Sequence, residues 1–316
     1  MGTEGWADAR WRNLIYAARS GVDRLQAYGL APYVKHPLIR CVALPWRAQG
    51  YRDSELLSFL SAVDEDFRFL MPLAPASLDP LLRRANGVAL GENPNFLHFS
   101  PKDWERMALM PLEMLGKRLG ALILRIGPFD RGLLRRWRQQ GDFATRLESY
   151  LTALKQHLSE TSQQPQLALE IQNGEWLTPR LMKLLASIDI CPVLRLSLGM
   201  PNILRQQKAF EYWRVLRANR TAISASSDQE REKQPLFIHW AGSPSLSLGY
   251  RRLDAQSLVA SDPLTRAAIA SLIIRTVDEG DDVWVWVENR AEGSAPLTLK
   301  ALAEALVARR CDMMPR

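Results

Sequence analysis

The chain is poor in the residues that most readily announce a chemistry. Three cysteines, Cys41, Cys191 and Cys311, occur among 316 residues, and their spacing forms no pairing or metal motif. Cys41 and Cys191 fall in apolar, strand-like stretches. That suits buried thiols in a reducing compartment and predicts a cytoplasmic protein. The four histidines, His36, His98, His157 and His239, never stand in the H-x-H or H-E-x-x-H spacing of a metal site. No G-x-G-x-x-G or P-loop sequence occurs, which argues against an open sheet that cradles a dinucleotide or nucleotide. No G-x-S-x-G elbow occurs either, and Ser243 and Ser245 have no base near them in sequence. No apolar run is long enough to cross a bilayer, so no membrane is expected. The opening residues Met1–Trp6 lack the basic and apolar regions of a secretory signal, and none is expected. They also match the myristoylation pattern poorly.

What remains is an ordinary globular composition, 47% apolar and 24% charged, in a chain long enough for one large α/β domain. The net charge is +7. The basic residues concentrate in Arg131–Arg138 and again in Arg205–Arg220. Solvated outer helix faces explain such clusters most simply; a nucleic-acid or other polyanion footprint is the second reading.

Short β-rich runs alternate with longer helical patterns, the signature of βα units and a parallel sheet. The runs are Met1–Glu4, Leu38–Leu44, Phe67–Leu73, Gly120–Ile126, Leu167–Gln172, Val193–Leu198, Pro235–Trp240 and Val283–Glu288. Several are apolar on both faces, as strands covered on both sides must be. Between them, Leu56, Leu57, Leu60 and Val63 repeat on one helical face. So do Leu181, Leu184, Leu185 and Ile188, and again Ile269, Leu272, Ile273 and Val277. Ser100-Pro101, Thr178-Pro179 and Asp262-Pro263 each place a capping side chain before a proline at the first helical position. The pattern predicts one (β/α)₈ TIM barrel over residues 1–316, with polar loops near 84–99 and 221–234.

In such a barrel the site forms at the C-terminal strand ends. The polar and aromatic residues expected there are Glu4, Trp6, Glu170, Gln172, Asn173, Trp176, His239, Trp240, Glu288 and Asn289. Glu170 is the candidate acid or base. Its apolar strand, Leu167–Glu170, is expected to raise its pKa by burial; the competing expectation is a carboxylate locked by Arg125 on the neighbouring strand. Glu4, Glu170, His239 and Glu288 could together ligate a divalent metal, although the plainer reading is a hydrogen-bonded histidine and glutamates paired with arginines. No metal ligand set is assigned, and the sequence names no cofactor.

Gly2-Thr3-Glu4-Gly5-Trp6 with Trp11, Asp66-Phe67-Arg68-Phe69, Leu119–Leu124 followed by Pro128, Glu170 with Trp176, and Asn289 with Ala295-Pro296 resemble the "domain of unknown function 72" (YecE-like) family. The resemblance runs in order along nearly the whole chain and implies a TIM barrel of unassigned biochemistry. It also implies a changed or vestigial site. Pro72 stands where the family has a lysine, and Gln172 where it has the arginine of Glu-x-Arg. His239 replaces a further arginine, and Val287-Glu288-Asn289 replaces Phe-Asn-Asn. Val42–Trp46 replaces a tyrosine-rich segment. Each lost charge-assisted hydrogen bond would weaken an anionic ligand by about 1.5–3 kcal/mol. The functional expectation is a small polar or phosphorylated ligand at the strand ends. The alternatives are nucleic-acid binding through the basic helices and a metal-dependent phosphoester- or sugar-processing enzyme.

Overall fold

A computed structural model describes residues 1–17, 21–45, 50–73, 81–83, 89–94, 109–128, 132, 135, 142–161, 165–224, 233–243 and 254–312. Ten strands run in chain order: β1 (Gly2–Glu4), β2 (Cys41–Ala43), β3 (Arg68–Leu73), β4 (Leu81–Arg83), β5 (Ala89–Pro94), β6 (Leu119–Ile126), β7 (Leu167–Ile171), β8 (Cys191–Leu196), β9 (Leu236–Trp240) and β10 (Val283–Val287). Eight of them close a barrel in the order β1-β10-β9-β8-β7-β6-β3-β2, and every pairing in it is parallel. All eight expected runs become its strands, so the fold is a (β/α)₈ barrel. The other two strands, β4 and β5, form an antiparallel pair. The expected loop 84–99 is therefore corrected in part, because Ala89–Pro94 is a strand. Gly, Asn and Pro there read as turn residues, while a hairpin pairing is set by its partner strand.

Closure requires strands covered on both faces. Every residue of β2, β7, β8 and β9 is buried. Alternate residues point outward to the helices and inward to the barrel. Outward, Phe69 meets Phe59 of the Asp53–Ser61 helix at a ring distance of 6.3 Å. The Thr3 amide donates to the Tyr33 hydroxyl at 3.0 Å from the Leu30–Val34 helix. Inward, Phe237 stacks on Trp284 and, one layer higher, His239 stacks on Trp286. Gly120 is glycine for a local reason: a Cβ there would lie 2.9 Å from the Trp284 ring and 3.3 Å from the Arg68 Cβ.

Two of the three cap-proline starts are seen. Thr178 accepts from the Leu181 amide at 3.3 Å, and Asp262 accepts from the Thr265 amide at 2.9 Å. Ser100-Pro101 lies outside the described residues. The apolar faces need two corrections. Leu57 is 59% exposed, because it is turned about 100° from buried Leu56. Val277, in the last turn of its helix, is also exposed. Cys41 and Cys191 are buried, and Cys311 is exposed; burial pushes the Cys41 and Cys191 thiols up and keeps them protonated. Among the described residues, no helix is long and apolar enough to cross a membrane.

Replacing Thr178 with alanine removes one cap bond from the Pro179–Ser187 helix. Urea denaturation should show a loss of about 1 kcal/mol, largely restored by serine. An unchanged midpoint for Thr178→Ala would show that the cap does not stabilise the helix.

Candidate functional site

The inward-facing residues near the C-terminal strand ends are charged. Strand register brings Arg125 of β6 beside Glu170 of β7 and Arg195 of β8 beside His239 of β9. Glu4 ends β1, and Glu288 follows β10. Arg125 grips Glu4 with two bonds, Nη1 to Oε1 at 3.1 Å and Nη2 to Oε2 at 3.2 Å. Its Nε lies 3.2 Å from Glu170 Oε1. Arg195 Nη1 donates to that same Glu170 oxygen. The other Glu170 oxygen lies 3.0 Å from His239 Nδ1. The far nitrogen, His239 Nε2, faces Glu288 Oε1 at 3.3 Å and Glu4 Oε2 at 3.7 Å. Glu288 is in turn held by Arg290.

Glu170 and His239 are fully buried. Burial alone pushes the Glu170 carboxyl up, but Arg125, His239 and Arg195 around it hold it well below the usual carboxylate range. The expected rise is overturned, and the arginine lock is found. Burial pushes the His239 ring down, and the charge and hydrogen bond of Glu170, with Glu288 behind, more than reverse this. Glu288 is also held below its ordinary value, since His239 and Arg290 outweigh its burial. Three carboxylates, Glu4, Glu170 and Glu288, thus face three guanidiniums, Arg125, Arg195 and Arg290, with the His239 ring between them. Arg195 Nη1 also lies 3.0 Å from His239 Nδ1. When the ring carries both protons that nitrogen donates to Glu170, and the guanidinium approach is then a repulsion that the shared carboxylate offsets.

Beside this network a cleft of about 410 Å³ opens at the ends of β1, β2 and β10. Glu4, Trp6, Glu288 and Asn289 line it, with Asp8, Trp11, Gln26 and Pro45 among their neighbours. Glu170 and His239 lie beneath its carboxylates rather than in its wall. Asn289 is a clamp: its Oδ1 accepts from Trp11 Nε1 at 2.9 Å and the Ala295 amide at 2.7 Å, while its Nδ2 donates to Asp8 at 2.7 Å. Trp6 is nearly buried, and its indole N–H donates to the Leu25 carbonyl at 3.0 Å.

The remaining candidates stand apart from the cleft. Gln172 Nε2 donates to the Gly127 carbonyl at 2.8 Å. Asn173 precedes the short 3₁₀ turn Gly174–Trp176, and Trp176 packs half-buried against the core. Trp240 is buried, facing away from His239 because neighbouring strand residues alternate. Among the described residues, no group of three or more His, Cys, Asp or Glu side chains is placed to hold a metal ion. Sequence reasoning passed over Arg195, Asp8 and Trp11 as site residues. Arg195 had one signal, a lone charge inside an otherwise apolar strand.

Glu170 carries less stability as the pH falls and His239 carries less as it rises. The folded Glu170 pKa is below its ordinary 4.5, so its contribution is complete above about pH 4.5 and is lost in acid. The folded His239 pKa is above its ordinary 6.5, so that contribution is complete below about pH 6.5 and is lost as the pH rises through the folded value. Glu170→Gln should cost about 3–5 kcal/mol, because three cations lose their shared counter-charge. It should also flatten the acid limb of stability against pH. A variant as stable as the parent would refute the network's role.

Comparison with known proteins places the chain. No curated protein matches it. Among solved structures, a DUF72 family protein from Thermotoga maritima MSB8 is similar at 14% identity and a TM-score of 0.57, covering 97% of this chain and 98% of that one. Another, from Enterococcus faecalis V583, is 13% identical with a TM-score of 0.55, covering 97% and 94%. At such identities the likeness speaks for the fold. The family model described as "Protein of unknown function DUF72" matches residues 1–316, and the chain belongs to that family.

Proposed function

We propose that the protein binds a small polar molecule in the cleft beside the charged layer of the barrel. The observation that carries this reading is the cleft itself. Its volume of about 410 Å³ suits a small ligand, and it opens at the strand ends where such barrels hold their sites. Its walls are preorganised. Asn289 ties Trp11 and Asp8 together, and Arg125 and Arg290 orient Glu4 and Glu288. A ligand entering it therefore orders few side chains, which keeps the entropic cost of binding low.

Glu170 belongs, in this reading, to the support of the site rather than to proton transfer. A general acid or base works best with a pKa near the working pH, and Glu170 is held ionised far below neutrality by its three partners.

Nucleic-acid binding through the basic segments has less support. Of the second cluster, Arg214 pairs with Asp281 and Glu279, and buried Arg217 pairs with Asp189. Arg220 donates to the Ala186 carbonyl at 3.1 Å. These cations fasten helix Ile203–Ser224 to the barrel. Of the first cluster, only Gly132 and Arg135 lie within the described residues.

Thermal-shift and ligand-observed NMR screens of small polar molecules should yield binders that Ala7→Phe excludes by about tenfold or more, since Ala7 lines the cleft and the larger ring fills it. Binders indifferent to Ala7→Phe, or a screen with none, would sink the cleft as the site.

A further inference from the structure

We infer that this cleft takes a neutral, hydroxyl-rich ligand and turns away phosphorylated and other anionic ones. The inference rests on the cleft being the binding site, and it follows from counting donors and acceptors in the wall.

The donors are already engaged. The Trp6 indole N–H goes to Leu25, the Trp11 indole N–H to Asn289, and the Asn289 amide N–H to Asp8. Among the described residues the lining contains no Lys, Arg or His; Gln26, which is exposed, supplies an amide. The acceptors are not all engaged. A carboxylate has about four lone-pair sites. Asp8 receives Arg10 and Asn289 on its two oxygens. Glu4 receives one Arg125 bond on each oxygen. Glu288 receives Arg290 on Oε2 and meets His239 Nε2 with Oε1, one contact on each oxygen. Open lone pairs therefore remain on Glu4 and on Glu288 Oε1.

An independent observation points to the same two groups. His239 Nε2 is completely buried and meets neither neighbouring carboxylate in good hydrogen-bond alignment. It sits between Glu288 Oε1 and Glu4 Oε2, at 3.3 and 3.7 Å. The two oxygens are thus within about 7 Å of each other, a span that adjacent hydroxyl groups on one small ring can bridge.

Charge decides between hydroxyl and ammonium donors. Glu4, Asp8 and Glu288 each carry a guanidinium partner, Arg125, Arg10 and Arg290. The wall therefore offers lone pairs with little net charge, which favours a hydroxyl. A phosphate would meet three carboxylates and, among the described lining side chains, hardly a donor; an unpaired, desolvated anion is strongly disfavoured. Trp6, Trp11 and Pro45 supply apolar wall for the C–H faces of such a ligand.

The test uses matched sets on the intact chain: neutral monosaccharides and cyclitols, their monophosphates, and their amino derivatives. Binding is read by saturation-transfer NMR and titration, with Ala7→Phe as the control for the cleft. Neutral members should bind, each phosphate about tenfold or more weaker than its parent, and no amine tighter. Glu288→Gln exchanges an acceptor for a donor, so it should weaken neutral ligands about tenfold and narrow the gap to the phosphates. Circular dichroism checks its fold, and Glu288→Asp serves if it unfolds. Phosphates or amines that bind more tightly than their neutral parents, yet are lost in Ala7→Phe, overturn the inference and leave the cleft standing. Neutral ligands unaffected by either Glu288 variant also overturn it. If nothing depends on Ala7, the cleft itself is wrong.

Discussion

The carboxylate of Glu170 is the contact around which the upper barrel is organised. It is fully buried and is reached by Arg125, Arg195 and His239 from both flanking strands and from the strand beyond. A lone buried carboxylate would either take up a proton or force the site open to water, since the desolvation of a charge costs several kcal/mol. Here each neighbour compensates another. Arg125 bridges Glu170 to Glu4, and His239 bridges it to Glu288. Strands β1, β6, β7, β8 and β9, with the residue that follows β10, are thereby tied together across the barrel interior.

That arrangement explains why the open space is off the axis. Arginine, histidine and the Trp286 indole fill the interior over β6 to β10. The cleft is displaced to the ends of β1, β2 and β10, where the chain after β1 folds back over the rim. The Asn289 side chain holds that fold in place through Trp11 and Asp8. The charged layer meets the cleft indirectly, by fixing the orientation of Glu4 and Glu288, which line it.

The outer helices show the same use of charge. Arg214, Arg217 and Arg220 lie on one helix and reach acidic or carbonyl groups on the barrel's other end. Arg217 also stacks over Trp213 at 5.7 Å. A basic helix in sequence becomes, in space, a set of anchors with much of its charge compensated.

The sequence by itself determined the barrel. Apolar runs of strand length, separated by amphipathic helices, admit few other ways of covering a parallel sheet on both faces. The capping of Thr178 and Asp262 was equally legible, because a cap is a contact across three residues. Those local signals also marked Glu4, Glu170, His239 and Glu288 as strand-end polar groups. Only the tertiary structure decided what they do. Whether Glu170 gains or loses acidity depends on Arg125 and Arg195, which reach it through inter-strand register, and a one-residue slip would turn either arginine to the outer face. Asn289 lies 278 residues from Trp11 and 281 from Asp8 in sequence, so no local pattern could reveal the clamp that shapes the cleft. Burial and long-range register set the electrostatics, and neither is written in the spacing of residues along one strand.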